Sequence, residues 1–413
     1  MELGKHAKSN VLWNMIGSIC ESALNLVLMI VVNRIAGEAY GGIFTFSFSH
    51  AQMMYYLGTL EVRPIHSTDV QQKYRFADYF SLRMVSCVFM ILVCLGYVFL
   101  TDGDPVKKQF MMLMCIYKML DAVYDLFASM FQQHGRIAFS GMVSTMRVSL
   151  VLVGFTVTLL MTKNLVAAGV VMVLISLGVL LTFNMSKWRT FDDVPIRWQF
   201  SHAAEILRAC FPLFISVFVM LYISNAPKYA IDRYCTDVVQ NRYNILFMPA
   251  FVINLFSQFV LRPMLTPMAQ MWNQGKSKAF RGNVIRMLLA ISALTILGVA
   301  GAWLLGIPLL ELVYGVPLAA EKGILLWVMV YGGLNAASVF LYDMIAVTRR
   351  QKWLLAAYPL VAVVVGILAP IWVQKQEMLG AILSSVAAQL LLNGILLGIM
   401  LIVLHRAVER KTA

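Results

Sequence analysis

Twelve stretches of about 20 mostly apolar residues follow one another along the chain, and a helix of that length fits the ~30 Å hydrocarbon core of a bilayer. They lie near residues 11–33, 42–61, 78–100, 109–131, 137–161, 165–185, 206–225, 243–261, 284–305, 324–347, 353–373 and 378–404. Inside lipid each backbone N–H and C=O must find its partner within the protein, so such a chain is restricted to spanning helices. Of its 413 residues 60% are hydrophobic and 13% charged, whereas soluble domains carry about a quarter charged residues. An ordinary soluble enzyme is thereby excluded. The first stretch is longer than a signal-peptide core and has no small-residue cleavage site after it, so it is expected to remain as an anchor.

The six cysteines, at 20, 87, 94, 115, 210 and 235, show neither a disulfide framework nor a CxxC zinc pattern. His50 and His66 stand too isolated to suggest a metal site, and no HExxH or GxxxxGK[ST] pattern occurs. No metal, cofactor or ATP use is expected. A nucleic-acid partner is not expected either, because the excess of 33 Lys+Arg over 20 Asp+Glu sits between apolar segments rather than on one basic face.

Cytoplasmic loops retain positive charge. Twenty-one of the basic residues, Arg63 among them, fall on one side of the predicted helices and nine on the other, which places both termini in the cytoplasm. The connections 186–205 and 262–283 carry Trp188, Trp198, Phe200 and Trp272 among basic residues, as interfacial helices do. The first divides the helices six and six. The expectation is an all-α polytopic membrane protein: an N-terminal bundle over residues 1–185, a cytoplasmic linker over 186–205, a C-terminal bundle over 206–413, and a central cavity between the bundles.

Three cations remain inside predicted spans: Arg83, Lys118 and Arg147. Each unpaired one would cost about 2.5–3.5 kcal/mol at a helix centre, so they must pair or face water. Asp121 and Asp125 follow Lys118 at three and seven residues and share its helix face. Asp121 and Arg147 are each 13 residues from His134, hence at matching depth if their helices form a hairpin. A buried ion-pair cluster and a cavity wall that meets an anion are both compatible with this pattern. Arg83, about five residues from the cytoplasmic edge, could instead snorkel to it. Glu21, with Asn14, Ser18 and Asn25 at helical spacing, makes a polar stripe suited to an interhelical hydrogen bond or to a proton or cation site.

The run Arg34-Ile35-Ala36-Gly37-Glu38-Ala39-Tyr40-Gly41-Gly42-Ile43-Phe44-Thr45-Phe46, preceded by Trp13-Asn14 and Gly17, resembles the N-terminal region of bacterial polysaccharide and O-antigen flippases of the multidrug/oligosaccharidyl-lipid/polysaccharide exporter superfamily. Pro212-Leu213-Phe214, then Tyr222 to Asp232 with Pro227-Lys228-Tyr229-Ala230-Ile231-Asp232, then Met248-Pro249-Ala250 and Arg262-Pro263, resemble the helix 7 to 8 region of Gram-positive cell-wall polysaccharide flippases. Ser67-Thr68-Asp69-Val70 with Tyr79 and Arg83, and Gln132 with Arg136, Gly141 and Arg147, are similar to the helix 2 to 5 region. Twelve helices rather than fourteen set the chain apart from the lipid II flippase branch.

This resemblance implies a non-enzymatic flippase in the bacterial cytoplasmic membrane. Its cargo would be an undecaprenyl-diphosphate-linked oligosaccharide, a cell-surface polysaccharide or teichoic acid precursor, moved from the inner to the outer leaflet by alternating access. Partners would be that lipid-linked glycan, membrane lipids, and glycan polymerase or transferase machinery. On this reading Arg83, Lys118 and Arg147 meet the diphosphate, and Lys228, just beyond the outer end of helix 7, completes or gates the site. Asn25, Asn225, Gln258, Tyr222 and Tyr229 contact sugars; Glu21, Asp121 and Asp125 are candidates for proton or cation coupling. Pro227 lets helix 7 unwind or bend as a hinge, with Asp232 beyond it, because proline removes a backbone donor. Two other readings stay open: a multidrug or metabolite cation antiporter on the same scaffold, and a membrane polysaccharide polymerase or transferase, which the short outer loops disfavour.

Overall fold

The computed structural model describes residues 2–69, 72–101, 104–184, 198–261, 264–348 and 353–412. They form helices α1 (Glu2–Ala36), α2 (Glu38–Thr59), α3 (Arg63–Thr68), α4 (Phe76–Leu100), α5 (Pro105–Gln133), α6 (Ile137–Thr162) and α7 (Leu165–Val179). After these come α8 (Ala203–Tyr234), α9 (Asp237–Leu261), α10 (Leu265–Asn273), α11 (Ser277–Gly301), α12 (Ile307–Tyr314), α13 (Lys322–Val347) and α14 (Leu354–Thr412). Single π-helical turns, Leu180–Asn184 and Ala302–Gly306, extend α7 and join α11 to α12. No strand occurs among the described residues.

Eight helical segments of the described chain are long and apolar enough to cross a membrane. One of them, Ala356–His405, is 50 residues long and is broken at Glu377, where φ is 45° and ψ −122°, so α14 supplies two spans. α2, α5 and α9 have 22, 29 and 25 residues, enough to span, yet are more polar. Among the described residues the spans then number twelve, at the positions expected from the sequence, and the chain is a multi-pass membrane protein. Side chains such as Ile19, Phe99, Leu174, Ile296 and Leu312 stand exposed on the outside of these helices, where lipid replaces water.

Local chemistry sets the turns. Asp104 caps α5, its carboxylate accepting the Val106 N–H at 3.0 Å ahead of Pro105. Asn164 caps α7 by accepting from Val166 at 2.9 Å and Ala167 at 3.1 Å. Gly37, at φ 92°, lets α2 begin one residue after α1 ends. The expected hairpin about His134 is present, with α5 and α6 joined by His134–Arg136. α10 lies within the connection expected to be interfacial, and Trp272 on it packs on Phe280 with ring centroids 5.1 Å apart. Of the other connection, residues 185–197 lie outside the described residues.

The chain forms two compact units, Met1–Phe218 and Val219–Ala413. In the first, α1 lies along α6 and α2 is held by α4 and α5. Phe44 of α2 packs on Phe110 of α5 and Phe155 of α6, both at 6.1 Å. In the second, α13 packs against α9, α11 and α14.

The α1–α6 contact depends on two glycines. A Cβ on Gly17 would stand 2.9 Å from the Gly141 carbonyl oxygen, and one on Gly141 would run into the backbone of Trp13. Small residues let helix backbones approach in this way, which is how helices associate where lipid removes the hydrophobic drive. Gly141→Ala is therefore expected to lower the thermal midpoint of the detergent-purified protein, at an overpacking cost of about 1–3 kcal/mol. Gly96→Ala, whose new methyl would meet nothing within 4 Å, should leave it in place.

Candidate functional site

α5 carries the charges that a spanning helix ordinarily lacks, and the helices around it supply their partners. Asp125 accepts from Arg83 on α4 at 3.2 Å and from Arg63 on α3 at 2.8 Å. Arg83 is 2% exposed and also donates to the Gly58 carbonyl at 3.2 Å, while Ser86 donates to the same oxygen at 2.6 Å. Gly58 lies in the last turn of α2, where carbonyls have no helical N–H to accept from. The snorkelling alternative for Arg83 is thus corrected: a carboxylate and an unsatisfied carbonyl hold the guanidinium inside the unit.

Asp121 joins Arg147 on α6 in a close ion pair and accepts from Lys118 at 3.0 Å. Arg147 also approaches Glu21 on α1 at 3.5 Å, and Ser144 donates a short hydrogen bond to the same Glu21 oxygen. The Arg147 guanidinium lies 4.8 Å from the Tyr124 ring centre, and the Lys118 ammonium 4.9 Å from that of Phe48. The side chain of Glu21 is 46% exposed, against 12% for Asp121. Asn25 Oδ1, one turn along α1 from Glu21, and Arg147 Nε are buried with no hydrogen-bond partner among the described residues.

The first unit therefore gathers seven of the residues named from sequence: Glu21 and its stripe neighbour Asn25, Arg83, Lys118, Asp121, Asp125 and Arg147. It adds Arg63, which sequence reasoning had assigned to a loop. Among the described residues these ion pairs link four cations to three carboxylates.

The remaining predicted residues lie in the second unit, on α8 except for Gln258, which falls outside the residues whose side chains are described. The break expected at Asn225-Ala226-Pro227 is not found: α8 runs unbroken to Tyr234. Lys228 accordingly lies within the helix and not beyond its outer end. Asn225 Nδ2 donates to the Leu221 carbonyl at 3.0 Å. Tyr222 packs its hydroxyl against Gly366 on α14. Lys228, Tyr229 and Asp232 are half-buried on the same helix.

Sequence reasoning missed a neutral polar cluster in this unit. Ser338 donates to Gln389 Oε1 at 2.8 Å, Gln389 Nε2 donates to Asn335 Oδ1 at 3.2 Å, and Asn393 Nδ2 donates to Ser338 Oγ at 2.8 Å. Asn335, Ser338 and Gln389 line a small cavity with Ser224 and Tyr358. The signal was present, since Ser385, Gln389 and Asn393 follow at intervals of four on the last span.

Two residues of the motifs quoted for the resemblance, Asp69 and Tyr79, serve the turn between α3 and α4. Asp69 accepts from the N–H groups of Lys73 at 2.9 Å and Tyr74 at 3.0 Å, and from the Tyr79 hydroxyl at 3.3 Å. His66 stacks on Tyr79 at 4.0 Å, and burial pushes its pKa down to about 3, so it is neutral at physiological pH. Asp78 holds Ser201 at 3.1 Å and His202 at 3.3 Å.

Removing one partner of a buried pair leaves a charge that lipid and protein cannot solvate, at about 3–5 kcal/mol. Asp125→Asn is expected to destabilise the protein by that order in detergent unfolding. The double change Arg83→Met with Asp125→Leu should recover most of it, because the Arg63 side chain, 42% exposed, is left in contact with water.

No family model matches the chain, and no curated protein matches it. Solved structures do. An inward-facing multidrug resistance MATE family transporter of the MOP superfamily superposes with a TM-score of 0.68 at 14% identity, over 94% of this chain and 95% of that one. The lipid II flippase MurJ, in an inward closed conformation, gives 0.67 at 13% identity over 95% and 90%. A MOP superfamily transporter from Pyrococcus furiosus, described as having a binding pocket of reverse polarity, gives 0.57 at 14% over 96% and 95%. The chain has the all-helical fold shared by these MOP superfamily transporters.

Proposed function

We propose that this protein is a flippase that carries an undecaprenyl-diphosphate-linked oligosaccharide from the inner to the outer leaflet of the bacterial cytoplasmic membrane by alternating access. It performs no covalent chemistry on its cargo, which it passes between glycan transferase and polymerase machinery. One observation carries this reading: Arg83, Lys118 and Arg147 stand inside the spans of the first unit, and the buried Nε of Arg147 has no hydrogen-bond partner among the described residues. A polyanionic headgroup is the cargo that cations set within the spans suit.

Arg147, with an uncommitted Nε, and Lys118 would meet the diphosphate, with Arg83 as the cation behind them. Asn25 offers an open acceptor for a sugar hydroxyl. In the second unit Tyr222, Asn225 and Tyr229 would contact glycan, with Gln258 in the same role, and Lys228 would add a further cation. Pro227 and Asp232 lie where α8 could flex. A headgroup of about two negative charges leaving a cell at 100 mV, inside negative, gains about 4.6 kcal/mol. Glu21, Asp121 and Asp125 could couple proton or cation movement to that transfer.

A cation antiporter is the second reading, favoured by the half-exposed carboxylate of Glu21. Flipping of a fluorescent undecaprenyl-diphosphate oligosaccharide in proteoliposomes separates the two. Protein-dependent transfer that accelerates with an inside-negative potential, and that falls at least about tenfold in Lys118→Gln and Lys228→Gln, is the expected result; tenfold corresponds to about 1.4 kcal/mol. Absence of transfer by folded protein, together with thermal stabilisation by cationic dyes, would assign the chain to antiport instead.

A further inference from the structure

Three residues far apart in sequence meet in the first unit above the charge cluster. Cys94 on α4 and Cys115 on α5 place their sulfurs 2.7 Å apart. His50 on α2 joins them, and a ring nitrogen and the two sulfurs all lie within 4.8 Å of one another. All three residues are buried, at 1%, 0% and 0% exposure. The Met112 thioether is 3.9 Å from Cys94 Sγ, and the Tyr97 ring lies 4.4 Å from the imidazole.

An imidazole nitrogen and two thiol sulfurs are the donors that borderline and soft cations prefer, whereas Mg2+ and Ca2+ take oxygen. Charge selects within that class. A divalent cation on two thiolates and a neutral imidazole makes a complex of zero net charge, and an apolar bundle penalises any other sum. A monovalent copper ion on the same set would leave one negative charge.

We propose that His50, Cys94 and Cys115 form a Zn2+ site that cross-links α2, α4 and α5. Each thiol releases its proton to bulk solvent as its sulfur binds the metal, and no redox step is involved. Two Zn–S bonds of about 2.3 Å at the tetrahedral angle hold their sulfurs about 3.8 Å apart. Loading therefore opens the present 2.7 Å gap by about 1 Å, within reach of a side-chain rotation. Lys118 lies three residues beyond Cys115 on α5, and its ammonium rests over Phe48, two residues before His50 on α2. The clamp would thus fix the helix pair that aims Lys118.

The test uses the full chain, expressed in zinc-replete medium and purified in detergent without chelators. Elemental analysis after desalting is expected to find about one Zn2+ per chain, reduced about tenfold in Cys94→Ser and in Cys115→Ser. Co2+ loading of the unaltered protein should give thiolate-to-cobalt charge-transfer absorption, and Zn2+ should protect Cys94 and Cys115 from alkylation while leaving Cys235 reactive. These two readouts stand even where a variant fails to fold. Protein without zinc or cobalt absorption, zinc retained undiminished by folded variants, copper held in place of zinc, or a Cys94–Cys115 disulfide found by mass spectrometry would each overturn the proposal.

Discussion

The first unit depends on two carboxylates inside one spanning helix. Asp121 and Asp125 can enter a bilayer only with cations beside them, and those cations come from α3, α4, α6 and α5 itself. An isolated charge at the bilayer centre costs about 2.5–3.5 kcal/mol on insertion scales. α5 is thus ill suited to lipid alone and well suited to a place among α2, α4, α6 and α7. Arg147 extends the network to α1 through Glu21, where Gly17 and Gly141 allow the backbones to close. Packing and charge pairing require each other here: without the close approach of α1, the Glu21 carboxylate could not reach the cation on α6.

The two units bury polarity of different kinds. In the first it is ionic, with Arg83, Lys118 and Arg147 linked to Asp125, Asp121 and Glu21. In the second, the cluster of Asn335, Ser338, Gln389 and Asn393 is neutral and satisfied largely within itself. Ionic sites act on charge at a distance and neutral ones on hydrogen-bond geometry. A cargo with a diphosphate at one end and sugars at the other offers both chemistries, which is the economy behind the proposed function.

Much of this was legible in the sequence, for reasons that differ by residue. Spans were legible because lipid enforces about twenty apolar residues each. The Arg147–Asp121 pair was legible because a tight turn at His134 converts counting into depth. Arg63 was not, since a cation two residues past a span looks like any cytoplasmic charge until α3 folds it back onto Asp125. For Arg83 pairing and snorkelling both stayed open, because the Gly58 carbonyl that helps hold it carries no side-chain signal. Lys228 was placed outside its helix because proline is a strong breaker in water, whereas a spanning helix continues through it. His50, Cys94 and Cys115 form no motif in sequence, and tertiary packing alone brings them together.

Within the proposed cycle, exposure sorts the three carboxylates by what each can do. Asp121 and Asp125 are at 12% and 8% side-chain exposure and each serves two cations, so protonating either strands charge in a dry interior. Glu21, at 46%, touches only the edge of the network, and Arg147 keeps Asp121 when Glu21 is neutralised. Neutralising Glu21 makes the cluster more positive by one charge, in the direction that suits a diphosphate. Proton uptake at Glu21 and headgroup binding at Arg147 would then favour each other, with the coupling energy appearing equally in both affinities. The same half-exposed carboxylate that keeps a cation antiporter in view would, under the proposed function, be the group that tunes the site to its load.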